Sequence, residues 1–285
     1  MLGAIIGDMV GRPYEFKGKK DYNFPFFNRY CTTTDDSYMT VAIGRALQNC
    51  IDNLDDIEAL KKEAIFQMRD IGKAHPDAGW GESFWQWISV SPAPYNSYGN
   101  GAGMRVSAVG WVANSIDEVK KLSRAVTEIS HNHPEGIKGA QAIASSVFIV
   151  RESGDAFSED TKSRVKTFVE EKFGYDLDFT IDEIRPGYGF DVSCQGSCPQ
   201  AIRAYLEGMD FEDAVRLAVS IGGDSDTIAC MAGAIAGAAG QIPEDISRKA
   251  YDILSPDLQM ILDKFEHSIK MQEVKTNKNE AEHGS

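Results

Sequence analysis

Positive charge is scarce in this chain: its 285 residues carry 29 Lys and Arg against 43 Asp and Glu, a formal net charge of −14. A surface that tracks nucleic-acid phosphates needs a basic stripe, so that class of partner is not expected, although a small anion held through a metal stays compatible with such a composition. Alternating runs of β-branched residues are nearly absent, which argues against sandwiches and barrels. Cysteine is sparse and odd in number (Cys31, Cys50, Cys194, Cys198, Cys230), with no CxxC, and the opening Met1-Leu2-Gly3-Ala4-Ile5 lacks a basic region followed by a long apolar stretch. These features predict a reducing cytoplasm and no signal peptide. Cys194 and Cys198 have no third soft ligand beside them and are expected to pack rather than hold a metal. The most apolar stretch, Ile228 to Gly240, covers about a dozen residues where roughly 20 are needed to cross a bilayer, so no membrane association is expected. No Pro/Gly/Ser-rich linker divides the chain; one domain over 1–268, monomeric, with a disordered tail over 269–285 is the expected organisation.

What is present is helical periodicity. Apolar residues recur three and four apart through Met39–Leu47, Ile57–Met68, Val119–Ile129, Ala140–Val150, Val165–Phe173, Ala201–Leu206, Ala214–Ile221 and Leu258–Phe265, with Ser115, Ser158 and Asp210 placed as N-caps. An all-α bundle follows. Long loops are expected at Arg12–Thr33, Lys73–Gly81, Val90–Gly103 and Gly174–Gly196, and irregular segments of that length in a compact helical domain tend to carry function.

Two acidic clusters, Thr34-Asp35-Asp36 and Asp224-Ser225-Asp226-Thr227, each stand where an apolar helix begins. Thr, Asp and Ser are common N-cap and first-turn residues, which explains either cluster taken alone. The helix after the second cluster is built almost wholly of Ala, Gly, Ile, Met and Cys, so it must be buried, and carboxylates aimed from the end of a buried helix need a positive partner. Placed face to face the clusters offer four carboxylates and two threonine hydroxyls, the oxygen ligands that magnesium prefers. Three loop features accompany them. Ser97-Tyr98-Gly99-Asn100-Gly101-Ala102-Gly103 is glycine-rich and runs into a helical segment, as anion-binding loops do, but it matches neither the dinucleotide nor the Walker A pattern. Gly79 and Gly81 flank Trp80 in a similar turn, and Ser130-His131-Asn132-His133-Pro134 puts two histidines at a helix start. Glu15, in Pro13-Tyr14-Glu15-Phe16, leaves the first helix among aromatics, where burial can raise a carboxyl pKa toward acid/base use; a surface acid reads the same way in sequence.

Taken in order, Gly3-Ala4-Ile5-Ile6-Gly7-Asp8 with Pro13-Tyr14-Glu15, Thr34-Asp35-Asp36-Ser37, Ser97-Tyr98-Gly99-Asn100-Gly101 with Met104-Arg105, Ser130-His131, and Gly222-Gly223-Asp224-Ser225-Asp226-Thr227 resemble the ADP-ribosylglycohydrolase family over about residues 1–265. That family includes the dinitrogenase-reductase-activating glycohydrolase and ADP-ribosylhydrolases acting on arginine or serine adducts. The resemblance implies an all-α orthogonal bundle with a metal cleft and two Mg2+ ions, for which Mn2+ can substitute. It assigns Thr34, Asp35 and Asp36 to one side of the metal pair and Asp224, Asp226 and Thr227 to the other, with Asp226 bridging. Glu15, Asp36 and Asp226 are the implied catalytic residues. Ser97, Tyr98, Gly99, Asn100 and Gly101, with Gly79 and Gly81, form the implied diphosphate cradle, and His131 the residue beside diphosphate and ribose. Tyr98, Trp80 and Phe84 are the aromatics considered for adenine. The implied activity is metal-assisted hydrolysis at the anomeric carbon of an ADP-ribosylated protein, favouring the arginine linkage, with serine or a small-molecule conjugate as alternatives. Ser37 departs from the family's usual Thr without removing a ligand. A terpene-synthase-like Asp-Asp site lacks its further acid, since Met39 and Thr40 stand there, and a phosphotransferase nucleophile would follow a strand. A non-catalytic ADP-ribose-binding or structural protein on the same fold is the remaining alternative.

Overall fold

The structure, a computed structural model, describes the backbone through His283 and side chains through Gln272; most of the expected tail, 273–285, lies outside the residues described to side-chain level. Among the described residues fifteen α-helices follow in order: α1 Leu2–Gly11, α2 Asp35–Asn49, α3 Ile57–Ala74, α4 Glu82–Ser89, α5 Gly101–Met104, α6 Ser107–Val112, α7 Ile116–Glu128, α8 Pro134–Ser153, α9 Glu159–Phe173, α10 Ile181–Ile184, α11 Cys194–Glu207, α12 Phe211–Ser220, α13 Ser225–Ala236, α14 Glu244–Ile253 and α15 Pro256–His283. The architecture is all-α, with no strand among the described residues. Every periodic segment read from the sequence is helical, and Ser115, Ser158 and Asp210 each accept a hydrogen bond from the backbone N–H three residues on. The helices α4 and α14 carry no comparable signal in that reading; the first is short, and the second buries only Ile246 and Ala250.

The element that organises the core is α13, every residue of which is buried. It packs along α1, α11 and α12. Its approach to α1 is close because α1 presents glycine at every fourth position toward it: a Cβ on Gly7 would fall within 3.0 Å of the Ala229 carbonyl, and one on Gly11 within 3.0 Å of the Asp226 backbone. With two backbones in direct contact, the buried Asp8 of α1 is carried up to Asp226 at the head of α13. The expected loops are irregular over most of their length, but Arg12–Thr33 opens with a 3-10 turn over Arg12–Tyr14, α3 runs on to Ala74, α5 begins at Gly101, and the Gly174–Gly196 stretch contains α10 and the first turn of α11; two of the loops are tied together. Gly99 and Ser193 form an isolated antiparallel bridge, Asn100 N–H donates to Val192 O at 2.7 Å, and Cys194 N–H donates to Tyr98 O at 2.9 Å. All five cysteines are free thiols. Cys194 and Cys198 are buried in packing, their Sγ atoms against Gly99 O and Met231 Sδ.

Candidate functional site

The first acidic cluster is shaped by a cap. Thr34 is the N-cap of α2, its Oγ1 accepting from Asp36 N–H at 3.3 Å, and its own hydroxyl donates to Asp8 Oδ1 at 2.8 Å. Asp8 also accepts from Thr34 N–H at 2.9 Å, from Ser37 N–H at 3.1 Å and from the Ser37 hydroxyl. Four donors on one fully buried carboxylate lock the head of α2 to α1. The second cluster behaves differently. Asp224 occupies the N-cap position of α13 but makes no side-chain cap; its Oδ2 instead accepts from Asn100 Nδ2 at 2.7 Å. The helix-cap explanation therefore holds for Thr34 and fails for Asp224.

Face to face is how the clusters sit. Thr227 donates its hydroxyl to Asp36 Oδ2 at 3.2 Å across the gap between α2 and α13. Carboxylate oxygens of Asp8, Asp36 and Asp226 lie within 4.8 Å of one another, as do those of Glu15, Asp224 and Asp226, so Asp226 belongs to both groups. Asp35 lines the same cleft, close to Gly79, whose Cβ would stand 3.6 Å from Asp35 Oδ1. Burial raises the pKa of all six acids, and for Asp35, Asp36 and Asp226 the next causes are the other carboxylates. Among the described residues one cation pairs with the group: Arg12 binds Glu15. Asp36 Oδ1 is buried without any hydrogen-bond partner. An orphaned carboxylate oxygen among crowded acids is what a hard-cation site looks like when its donors are oxygen only.

The cleft, about 450 Å³, is within the range of small-molecule sites. Gly79, Gly81, Ser97, Gly99, Asn100, Gly101 and His131 also line it, so all the residues assigned to the substrate except Tyr98 line the cavity that the acids line. A Cβ on Gly101 would sit 3.3 Å from His131 Nε2 and one on Gly99 3.2 Å from Ser97 Oγ, so any side chain there would fill the cradle. The helix beyond this loop, α5, has only four residues; the Gly101 N–H and the space the glycines leave, rather than a long helix dipole, are its contribution. Asn100 lines the cleft and its side-chain amide also holds Asp224. Tyr98 is half exposed and packs edge-on against His133, 5.3 Å between centroids. Trp80 spends its Nε1–H on His75 O, and Phe84 lies flat on Trp87 at 5.4 Å while still bordering the cleft.

Sequence reasoning missed Asp8, Arg12 and the aromatics Tyr95, Phe16 and Phe190. Asp8 stood in a quoted motif with no role, and its position one residue after Gly7, on the glycine-lined helix, was the available signal. Phe16 and Phe190 stack at 5.7 Å and both line the cleft while largely exposed; nothing in a linear sequence pairs residues so far apart.

Comparison with known proteins places this geometry. A family model described as ADP-ribosylglycohydrolase matches residues 1–274. The ADP-ribosylhydrolase ARH3 of Homo sapiens is 26% identical, the alignment covering 93% of each protein, and that of Mus musculus is 28% identical over 86% of this chain and 84% of its own. An uncharacterized protein of Archaeoglobus fulgidus is 31% identical over 158 residues; the match spans half the length of that relative and half of this chain. A solved structure described as an ADP-ribosylglycohydrolase-related protein complex superposes with a TM-score of 0.62 at 20% identity, covering 94% of this chain and 95% of that one, a likeness of fold.

Proposed function

The chain belongs to the ADP-ribosylglycohydrolase family and is a glycosidic-bond hydrolase, and from that premise we propose that it is a magnesium-dependent ADP-ribosylhydrolase that removes ADP-ribose from modified protein side chains. The observation that carries this reading is one cleft lined by two unlike sets of residues: carboxylates short of positive charge, and the glycines of the 97–101 loop with His131. A divalent cation fits the carboxylates, since Asp36 Oδ1 has no other partner and every donor is oxygen. Asp35, Asp36, Asp224 and Asp226 would hold it, with Thr34 and Thr227 beside them; when bound it supplies Lewis acidity and orients the ribose hydroxyls. The count of two ions is part of this proposal.

The chain's own residues divide the remaining work. The Gly99 N–H is spent on Ser97 Oγ at 3.1 Å and the Asn100 N–H on Val192 O at 2.7 Å, so the Gly101 N–H, with the space the glycines leave, would receive the diphosphate without a basic side chain, which suits an acidic protein. Asn100 and Asp8 keep the carboxylates in place. Glu15, 16% exposed at its side chain, lines the cleft beside Asp224 and Asp226 in ion-pair contact with Arg12, and is the acid that would carry a proton on leaving that partner. We favour the arginine linkage, because Arg12 holds Glu15 in ion-pair contact and a guanidine departs as a protonated cation without needing an acid. The serine linkage has one observation of its own: burial, with Asp224 and Asp8 nearby, raises the Glu15 pKa, and a protonated carboxyl can supply the proton that an alkoxide leaving group requires.

Release of ADP-ribose from matched arginine- and serine-modified peptides, in magnesium and in chelator, tests the proposal. Turnover should vanish in chelator and return with magnesium or manganese, arginine peptides should be the faster substrate, and Glu15→Gln should slow serine release more than arginine release. Full turnover in chelator would sink the metal reading, and serine release without arginine release would reverse the linkage.

A further inference from the structure

His131 does not stand alone in the cradle. Arg105 Nη2 donates to Ser130 Oγ at 2.7 Å, and Ser130 Oγ lies 2.9 Å from His131 Nδ1. The guanidinium occupies one lone pair of that hydroxyl, so the hydroxyl hydrogen is free, and among the described residues its one hydrogen-bond partner is Nδ1. Donation from Ser130 to Nδ1 makes Nδ1 an acceptor. A neutral imidazole that accepts at Nδ1 carries its proton on Nε2. That nitrogen faces the glycine loop, 3.3 Å from where a Gly101 Cβ would be and 3.6 Å from a Gly99 Cβ.

The charge state follows from the same neighbours. Arg105 is fully buried, and among the described residues no carboxylate lies within 4.0 Å of it; its Nε and Nη1 have no hydrogen-bond partner, and the Phe84 ring, 5.6 Å away, covers its face. Burial opposes a positive charge on the imidazole, and the fixed cation behind the ring opposes it further; both hold the His131 pKa well below its ordinary value. A buried guanidinium without a carboxylate is costly; here Nη2 is held by Ser130 Oγ at 2.7 Å and lies 3.5 Å from Val126 O and Thr127 O, which keeps the cation close behind His131.

We infer that Arg105, Ser130 and His131 form a relay that fixes His131 as the neutral Nε2–H tautomer, a donor aimed at a phosphate oxygen of the ligand in the glycine cradle. Arg105 and Ser130 are positioning residues acting through His131. The identity of the ligand as a nucleoside diphosphate rests on the proposed function; the tautomer does not.

The test uses the whole protein labelled with 15N-histidine. Two-bond 1H–15N correlation reads the tautomer of each of the five histidines, and His131→Gln assigns the signal. Wild type should show His131 with Nδ1 unprotonated and Nε2 protonated, and Ser130→Ala should mix the two tautomers and, where each reaches about half, raise the Kd for ADP-ribose about two-fold, since only the Nε2–H form donates to the ligand. Ser130→Thr, which keeps the hydroxyl, should restore both. A wild-type Nδ1–H tautomer or an imidazolium overturns the relay, as does Ser130→Ala with either tautomer or Kd unchanged. If wild type binds no ADP-ribose, the proposed function falls with the ligand assigned here, whereas a wrong tautomer in a protein that does bind ADP-ribose counts against the relay alone.

Discussion

Stripping divalent cations from this protein should invert the pH dependence of its stability. Asp8, Glu15, Asp35, Asp36, Asp224 and Asp226 all have pKa values raised by burial in the metal-free fold, with the neighbouring carboxylates adding to the rise at Glu15, Asp35, Asp36 and Asp226. A carboxyl whose folded pKa lies above its unfolded one contributes stability that is fully present below the unfolded value, near 4, and is lost as pH rises through the folded value. The chelated protein should therefore weaken from mildly acidic pH upward, the reverse of an ordinary salt-bridged carboxylate. Each acid loses about 1.4 kcal/mol of stability on full ionisation for every pH unit by which its folded pKa stands above the unfolded one, and for a chain of this size about 1 kcal/mol moves the melting temperature by about 2 °C. With all six displaced in the same direction, the melting temperature in chelator should fall between about pH 5 and about pH 8. Magnesium at about a hundred times its Kd adds about 2.7 kcal/mol, about 5 °C on the same scale, and should oppose that fall. Melting curves in chelator and in magnesium at the two pH values decide the matter. A chelated protein whose melting temperature is flat or rises with pH would refute the reasoning, because the acids would then be ionised and satisfied without a cation.

Two further outcomes follow from the packing of the site. Gly7→Val drives a side chain into the Ala229 carbonyl, where backbone rather than a flexible side chain must give way; a loss of about 3 kcal/mol or more is expected, read as a lower denaturant midpoint, and a wild-type midpoint would mean that α1 and α13 are not in backbone contact. Asn100→Ala removes the 2.7 Å donor on Asp224, so magnesium affinity by calorimetry should fall about ten-fold with little change in fold; an unaltered affinity would separate Asp224 from the cation.

Helix existence was legible because 3.6-residue periodicity is a local property, as was the chemistry of each acidic cluster, since carboxylates and hydroxyls can only be oxygen ligands. The burial of α13 was likewise written in its composition. The role of Asp8 was not: one carboxylate in an apolar helix looks like an isolated polar residue until glycines on α1 let its backbone touch α13 and bring Thr34, Ser37, Asp36 and Asp226 around it. The same limit applies to Asn100, which sequence placed on the ligand and tertiary contact also placed on Asp224, and to Arg105, read only as the end of a motif. By itself the sequence determined which elements form, which residue types could bind a hard cation, and which family the motifs belong to, because propensity, donor chemistry and motif order are all carried by the chain in one dimension. Only the tertiary structure decided which oxygens share a site, that Asp224 is held by an amide instead of capping its helix, and that a buried guanidinium stands behind His131, because each of these depends on distances between residues as many as 200 positions apart that helix packing alone sets.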